Sequence, residues 1–140
     1  MTEEELLDLE QYYKDNRLPT HIFPYISQRD DWDCGVACMA MALHTSYWNV
    51  RKGFLKRNPK GISGYVVSKY LGGKELKRYP SLKSIDDFIG GDYILLTKRD
   101  KYDWGHYVVK DRLGNIYDPE DGIVDLAEYE RRKVSFSIKL

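Results

Sequence analysis

Disulfide staples are out of reach of this chain: it has two cysteines in 140 residues, and those lie only four positions apart. An excess of charge of either sign is also missing, since 22 basic residues balance 22 acidic ones. That balance argues against a nucleic-acid binder, which usually carries a basic face. No apolar run approaches the roughly 18 residues a membrane helix needs, so no membrane segment is expected. The chain opens on acids rather than on a basic stretch followed by an apolar one. It therefore reads as lacking a secretory signal, and a reducing, cytoplasmic setting is expected. Internal repeats, low-complexity tracts and linkers are missing too. Histidine is scarce, at three, which narrows the choice of any imidazole base.

What is present suits one domain. With 42% apolar and 14% aromatic residues, 140 residues can bury a core unaided. The expected organisation is a single domain over 1–140, with 1–19 as an N-terminal helical extension. Thr2 to Glu5 form a capping box, and Leu6, Leu9 and Tyr13 then share a stripe, which predicts a helix over 2–16. Thr20 to Ile26 reads as extended and Ser27 to Asp33 as a loop. Cys34 to His44 is apolar on every face, the pattern of a helix buried all round. Asp33 before it is a good N-cap and puts Cys34 in the first turn. Further helices are expected from Ser63 to Leu71, closed by Gly72, and from about Ser81 to Ile89, ending at Gly90-Gly91. Those two glycine pairs read as helix ends rather than as cleavage sites. The stretch from Arg51 to Lys60 carries five Lys or Arg residues and no acid, and reads as a solvated face.

The period then turns strand-like. Tyr93 to Thr97 and His106 to Lys110 read as strands, Asp111 to Asn115 as a turn, and Ile116 to Asp118 as the returning strand of a hairpin. Val134, Phe136, Ile138 and Leu140 alternate with polar residues in a final strand. Helices first and antiparallel strands second make an α+β fold, with the buried N-terminal helix packed on a C-terminal sheet.

Acyl transfer on sulfur needs a thiolate, and a free thiol near pKa ~8.5 is mostly protonated at neutral pH. Cys34 at a helix start lies against the positive end of the macrodipole, which favours the anion. A neighbouring imidazole would complete the activation. His21 precedes the site in an extended segment, and His44 lies roughly 15 Å along the helix from Cys34. His106 opens a strand behind Gly105, a position that suits a base. Asp118 returns beside it and is expected to orient the ring, with Asn115 and Asp111 as alternatives. Gln28, on the loop feeding the helix, is the expected side-chain donor to a developing oxyanion, and the Cys34 N–H is expected to add a second. Trp32, Asp33, Gly35, Trp104 and Gly105 form the expected substrate-binding set: the tryptophans as walls, the glycines giving room and access. Cys38 reads as core. A Cys-x₃-Cys spacing without a second pair is a weak zinc pattern, so neither metal nor cofactor is expected.

Gln28-x₄-Asp33-Cys34-Gly35-x-Ala37-Cys38, followed far downstream by Gly105-His106-Tyr107-Val108-Val109 and then Asp118-Pro119, resembles the peptidase C39-like family. This branch of the papain-like clan includes the leader-peptide-cleaving domains of bacteriocin exporters. Trp32 to Gly35 is also similar to a related papain-like family of guanylyl-cyclase-like proteins. The resemblance covers about residues 22–120. It implies a papain-like fold and a thiol peptidase acting on a peptide or protein. In it Cys34 is the nucleophile, His106 the base, Asp118 its orienter, and Gln28 part of the oxyanion hole. The same triad also fits a deamidase or transferase acting on a protein partner, and the same domain fits a non-catalytic peptide binder.

Overall fold

An apolar stretch without a polar stripe is stable as a helix only where it is surrounded. In the computed structural model, which describes residues 2–8, 21–100 and 103–140, helix α1 (Cys34–Ala42) is surrounded: every residue from Cys34 to Met41 is buried. It stops two residues short of the expected end. His44 adopts a left-handed φ of 51°, its N–H donates to Met41 O, and the Thr45 N–H donates to Ala40 O at 3.0 Å. That pair of bonds is a Schellman closure. Two short helices follow, α2 (Tyr47–Arg51) and α3 (Gly64–Tyr70), each opened by a serine hydroxyl that accepts a first-turn N–H. Helix α3 matches expectation, including Gly72 beyond its end at φ 85°. Helix α2 was not expected.

At the N-terminus residues 3–8 are helical, and the Thr2 hydroxyl accepts the Glu5 N–H at 3.2 Å. Glu5 answers through the Thr2 hydroxyl rather than the Thr2 backbone. The remainder of the helix expected over 2–16 lies outside the described residues.

The strands are β1 (Leu76–Ser84), β2 (Tyr93–Lys98), β3 (His106–Lys110), β4 (Asn115–Asp118), β5 (Gly122–Asp125) and β6 (Lys133–Lys139). They form one six-stranded sheet in the order β1-β6-β2-β3-β4-β5, with each neighbouring pair antiparallel. The fold is α+β, as expected. The helix expected over 81–89 is corrected: β1 runs through to Ser84, and only a single 3₁₀ turn, Ile85–Asp87, follows. The outer edge of β6 must satisfy its backbone groups, and β1 does so with a register shift between Arg78 and Lys83. With that bulge the half-buried positions Leu76, Tyr79 and Leu82 recur every three residues, which mimics a helical stripe. Pro80 is tolerated because β1 is an edge strand.

Both faces of the central strands are covered, which is why they read as nearly continuous apolar runs. On one face α1 packs with Ile94, Tyr107, Val109, Tyr117, Phe136 and Ile138. On the other, Leu95, Val108, Ile116 and Val134 meet Ile85, Phe88, Leu126 and Tyr129. Residues 21–26, expected to be extended, join no ladder. Instead the Ile22 and Phe23 amides donate to the Tyr117 hydroxyl, which donates to Asp111 at 2.6 Å. This chain of bonds ties the segment before α1 to the β3–β4 hairpin. No helix among the described residues is long and apolar enough to cross a membrane.

Candidate active site

Two elements carry the reacting groups to one place. Helix α1 packs directly on β3, so the first residue of the helix, Cys34, meets the first residue of the strand, His106. The Cys34 side chain acts on the His106 ring and favours its protonated form. Within the hairpin Val109 pairs with Tyr117; one step further along that register sets Asp118 diagonal to His106 on the same face. His106 Nε2 and Asp118 Oδ1 lie 2.6 Å apart. Asp118 takes Nε2, so Nδ1 is the nitrogen left to the thiol. The backbone of His106 is fixed as well, for the buried Thr97 hydroxyl donates to its carbonyl at 2.9 Å.

Asp118 is fully buried and saturated with donors. Besides His106, Oδ1 accepts the Glu120 and Asp121 amides, and Oδ2 accepts the Tyr129 hydroxyl at 2.5 Å. Burial alone would raise its pKa; the bond and charge of His106, then Tyr129 and the Glu120 amide, outweigh it and bring the group down to about 2. For His106 burial acts to lower the pKa, and the contacts to Asp118 and Cys34 overcome it, pushing the ring up to about 10. An imidazolium therefore stands between a buried carboxylate and the thiol across the neutral range. Tyr129 was not foreseen; residues 119–132 show no periodic pattern that would single it out.

Cys34 opens onto a cleft of about 860 Å³ and is itself 9% exposed. Trp32, Trp104 and Gly105 line that cleft, as expected. Trp32 is buried beneath the Arg51 guanidinium at 4.7 Å, whereas Trp104 is 68% exposed at the mouth. Gly105 is required by its backbone: φ is +97°, and a Cβ there would lie 2.7 Å from Leu96. Cys38, one turn on, is fully buried, and burial followed by the neighbouring Cys34 pushes its thiol well up.

Three expected residues have other duties. Asp33 takes the N-cap position of α1, where its carbonyl accepts the Ala37 N–H, but its side chain makes no cap bond. Its fully buried carboxylate turns back to accept the Arg29 and Asp30 amides and the Tyr47 hydroxyl, so it shapes the entry loop and is closed to substrate. Arg51 donates in turn to Tyr47, which gives the unforeseen α2 its place beside the loop. Gly35 is buried against Tyr107, whose ring would sit 3.3 Å from an added Cβ; it makes room for packing rather than for a ligand. Gln28 spends its NH₂ on the Asp30 carbonyl at 2.8 Å, and its buried Oε1 has no partner among the described residues. In this arrangement it is not aimed as an oxyanion donor. The Asp33 side chain makes no cap bond at the start of α1, so it does not compete for the first-turn amides.

His21 and His44 are both exposed and pack on Tyr117 and Phe23 respectively. Among the described residues no group of three His, Cys, Asp or Glu side chains is arranged to hold a metal. No protein-family model matches the chain, and no curated protein matches it.

Proposed function

We propose that this chain is a cysteine hydrolase of papain-like fold, resembling C39-like peptidases, that cuts a peptide or amide bond through an acyl-enzyme. The observation that carries the reading is the line of Cys34, His106 and Asp118 running inward from a cleft that Cys34 lines, with 2.6 Å between imidazole and carboxylate. The Cys34 sulfur, its proton already held by His106, attacks the carbonyl carbon, forming a C–S bond as the carbonyl π bond opens. Negative charge develops on the carbonyl oxygen near the start of α1, where the Cys34 N–H and the helix dipole favour it. As the C–N bond breaks, His106 gives its proton to the leaving amine. Water then attacks the thioester and gives a proton to His106; the C–S bond breaks, the acid product leaves and the Cys34 thiolate is restored beside the protonated ring. Asp118 keeps the ring in the productive orientation throughout. The free thiols suit the cytoplasmic setting proposed for the protein.

A mixed peptide library incubated with the protein and read by mass spectrometry tests this. Chain cleavage is expected, and it is expected to vanish in Cys34→Ala and His106→Ala. Cleavage that survives Cys34→Ala overturns the proposal; mass gain or cross-linking without cleavage would assign the triad to deamidation or transfer instead.

A further inference from the structure

The basic stretch from Arg51 to Lys60 is not merely a solvated face: residues 53–58 and 60–62 line the cleft beside Cys34. Lys56, Arg57 and Lys60 come from this loop, and Arg78 joins them from the edge strand β1. No aspartate or glutamate is among the described residues that line it. Elsewhere arginines are neutralised: Arg99 holds Glu130, Arg112 holds Asp92 and Arg131 holds Asp86. At the cleft, among the described residues, only Arg57 is so held, by Asp31 at 2.9 Å. Lys56, Lys60 and Arg78 pair with no carboxylate among the described residues. Aromatic faces hold two of these head groups instead. Lys60 Nζ stands 5.5 Å from the centre of the Trp104 ring, and Arg78 Cζ stands 5.6 Å from that of Phe136. A ring attracts a cation without cancelling its charge. Beside them the groove offers apolar surface, with Leu55 78% exposed. Uncancelled cations along an apolar concave wall concentrate an anion that also carries apolar groups.

We infer that this cleft selects an acidic peptide segment. The chain lies along the groove with an Asp or Glu near the bond presented to Cys34; that carboxylate docks on Lys60 and Arg78, and an apolar neighbour packs on Leu55 and Trp104. Which bond is cut rests on the catalytic reading above, whereas the charge selection rests on the lining of the cleft.

Three short thiol-reactive probes test it: iodoacetyl-Glu-Glu-amide, iodoacetyl-Gln-Gln-amide and iodoacetyl-Lys-Lys-amide. In each, the Cys34 sulfur displaces iodide and forms one C–S bond, and each rate is divided by that of iodoacetamide on the same protein. The Glu probe should exceed the Gln probe by at least about threefold, with the Lys probe slowest. In Arg78→Gln/Lys60→Gln, and in about 0.5 M salt, the ratio should fall toward one. Equal Glu and Gln rates overturn the inference. So does a Glu preference that persists in the double variant, because it would then belong to His106. Failure of the catalytic reading is seen separately, as iodoacetamide labelling of Cys34 that is slow at pH 6 and indifferent to His106→Ala.

Discussion

Tyr129 brings its hydroxyl to 2.5 Å from Asp118 Oδ2, inside a pocket where the carboxylate has no water to turn to. In Tyr129→Phe one oxygen of a buried anion loses its donor, which costs about 1–3 kcal/mol. Because Tyr129 helps hold the Asp118 pKa down, the acid limb of the pH–rate profile should also move to higher pH. Urea denaturation checks the first effect and a kcat profile the second; a purely structural role would move only the first. The residues of the proposed triad could be picked out in sequence because each sits beside a local marker: Cys34 at a helix start, His106 after a glycine, Asp118 in a returning strand. Asp33, Gly35 and Gln28 were less legible, because their duties are set by groups remote in sequence. Tyr47 claims the carboxylate of Asp33, and Tyr107 claims the space beside Gly35.

Strand β3 begins where a left-handed glycine turns the chain inward, and that entry aims His106. Gly105→Ala forces φ +97° on a residue with a side chain and drives its Cβ against Leu96. The expected loss is about 1–3 kcal/mol of stability. The displaced start of β3 should also lower kcat, because it disturbs the proposed base, and any change in KM reports the cleft that Gly105 lines. Thermal melts and steady-state kinetics of this variant decide the matter. Elements with an unbroken apolar pattern, α1, β2 and β3, were readable in advance, and β4 followed from the glycine-containing turn that returns it. Helix α2 and strand β5 were not: they are five and four residues long, too short for any period to show. The bulge in β1 defeated the pattern outright by converting a strand's alternation into steps of three.

Across the whole molecule, the His106–Asp118 pair links folding to pH. His106 rises from an ordinary 6.5 to about 10 on folding, so its contribution is complete below 6.5 and is lost as pH rises through about 10. Asp118 falls from 3.8 to about 2, so its contribution is present above 3.8 and is lost as pH falls through about 2. These are two views of one interaction, complete between those ordinary values. The difference in unfolding free energy between the wild type and His106→Ala/Asp118→Asn should therefore be greatest at about pH 4–6 and should narrow steadily toward pH 10. Equilibrium urea unfolding across that range measures it. At this scale the α+β class was readable from the order of patterns along the chain. Of the cleft, Trp32, Trp104 and Gly105 were named in advance; its basic wall was not, since that comes from a loop after α2 and the edge strand β1, and only folding brings them together.

The most direct measurement is the pH dependence of alkylation by iodoacetamide, followed at Cys34 and Cys38 separately in the wild type and in His106→Ala. The account predicts that Cys34 in the wild type reacts readily at pH 6 while Cys38 stays inert, and that removing His106 slows Cys34 at that pH by tenfold or more, roughly the loss of one strong ionic partner. A Cys34 rate that follows the ordinary titration of an isolated thiol, and is the same in both proteins, would contradict it.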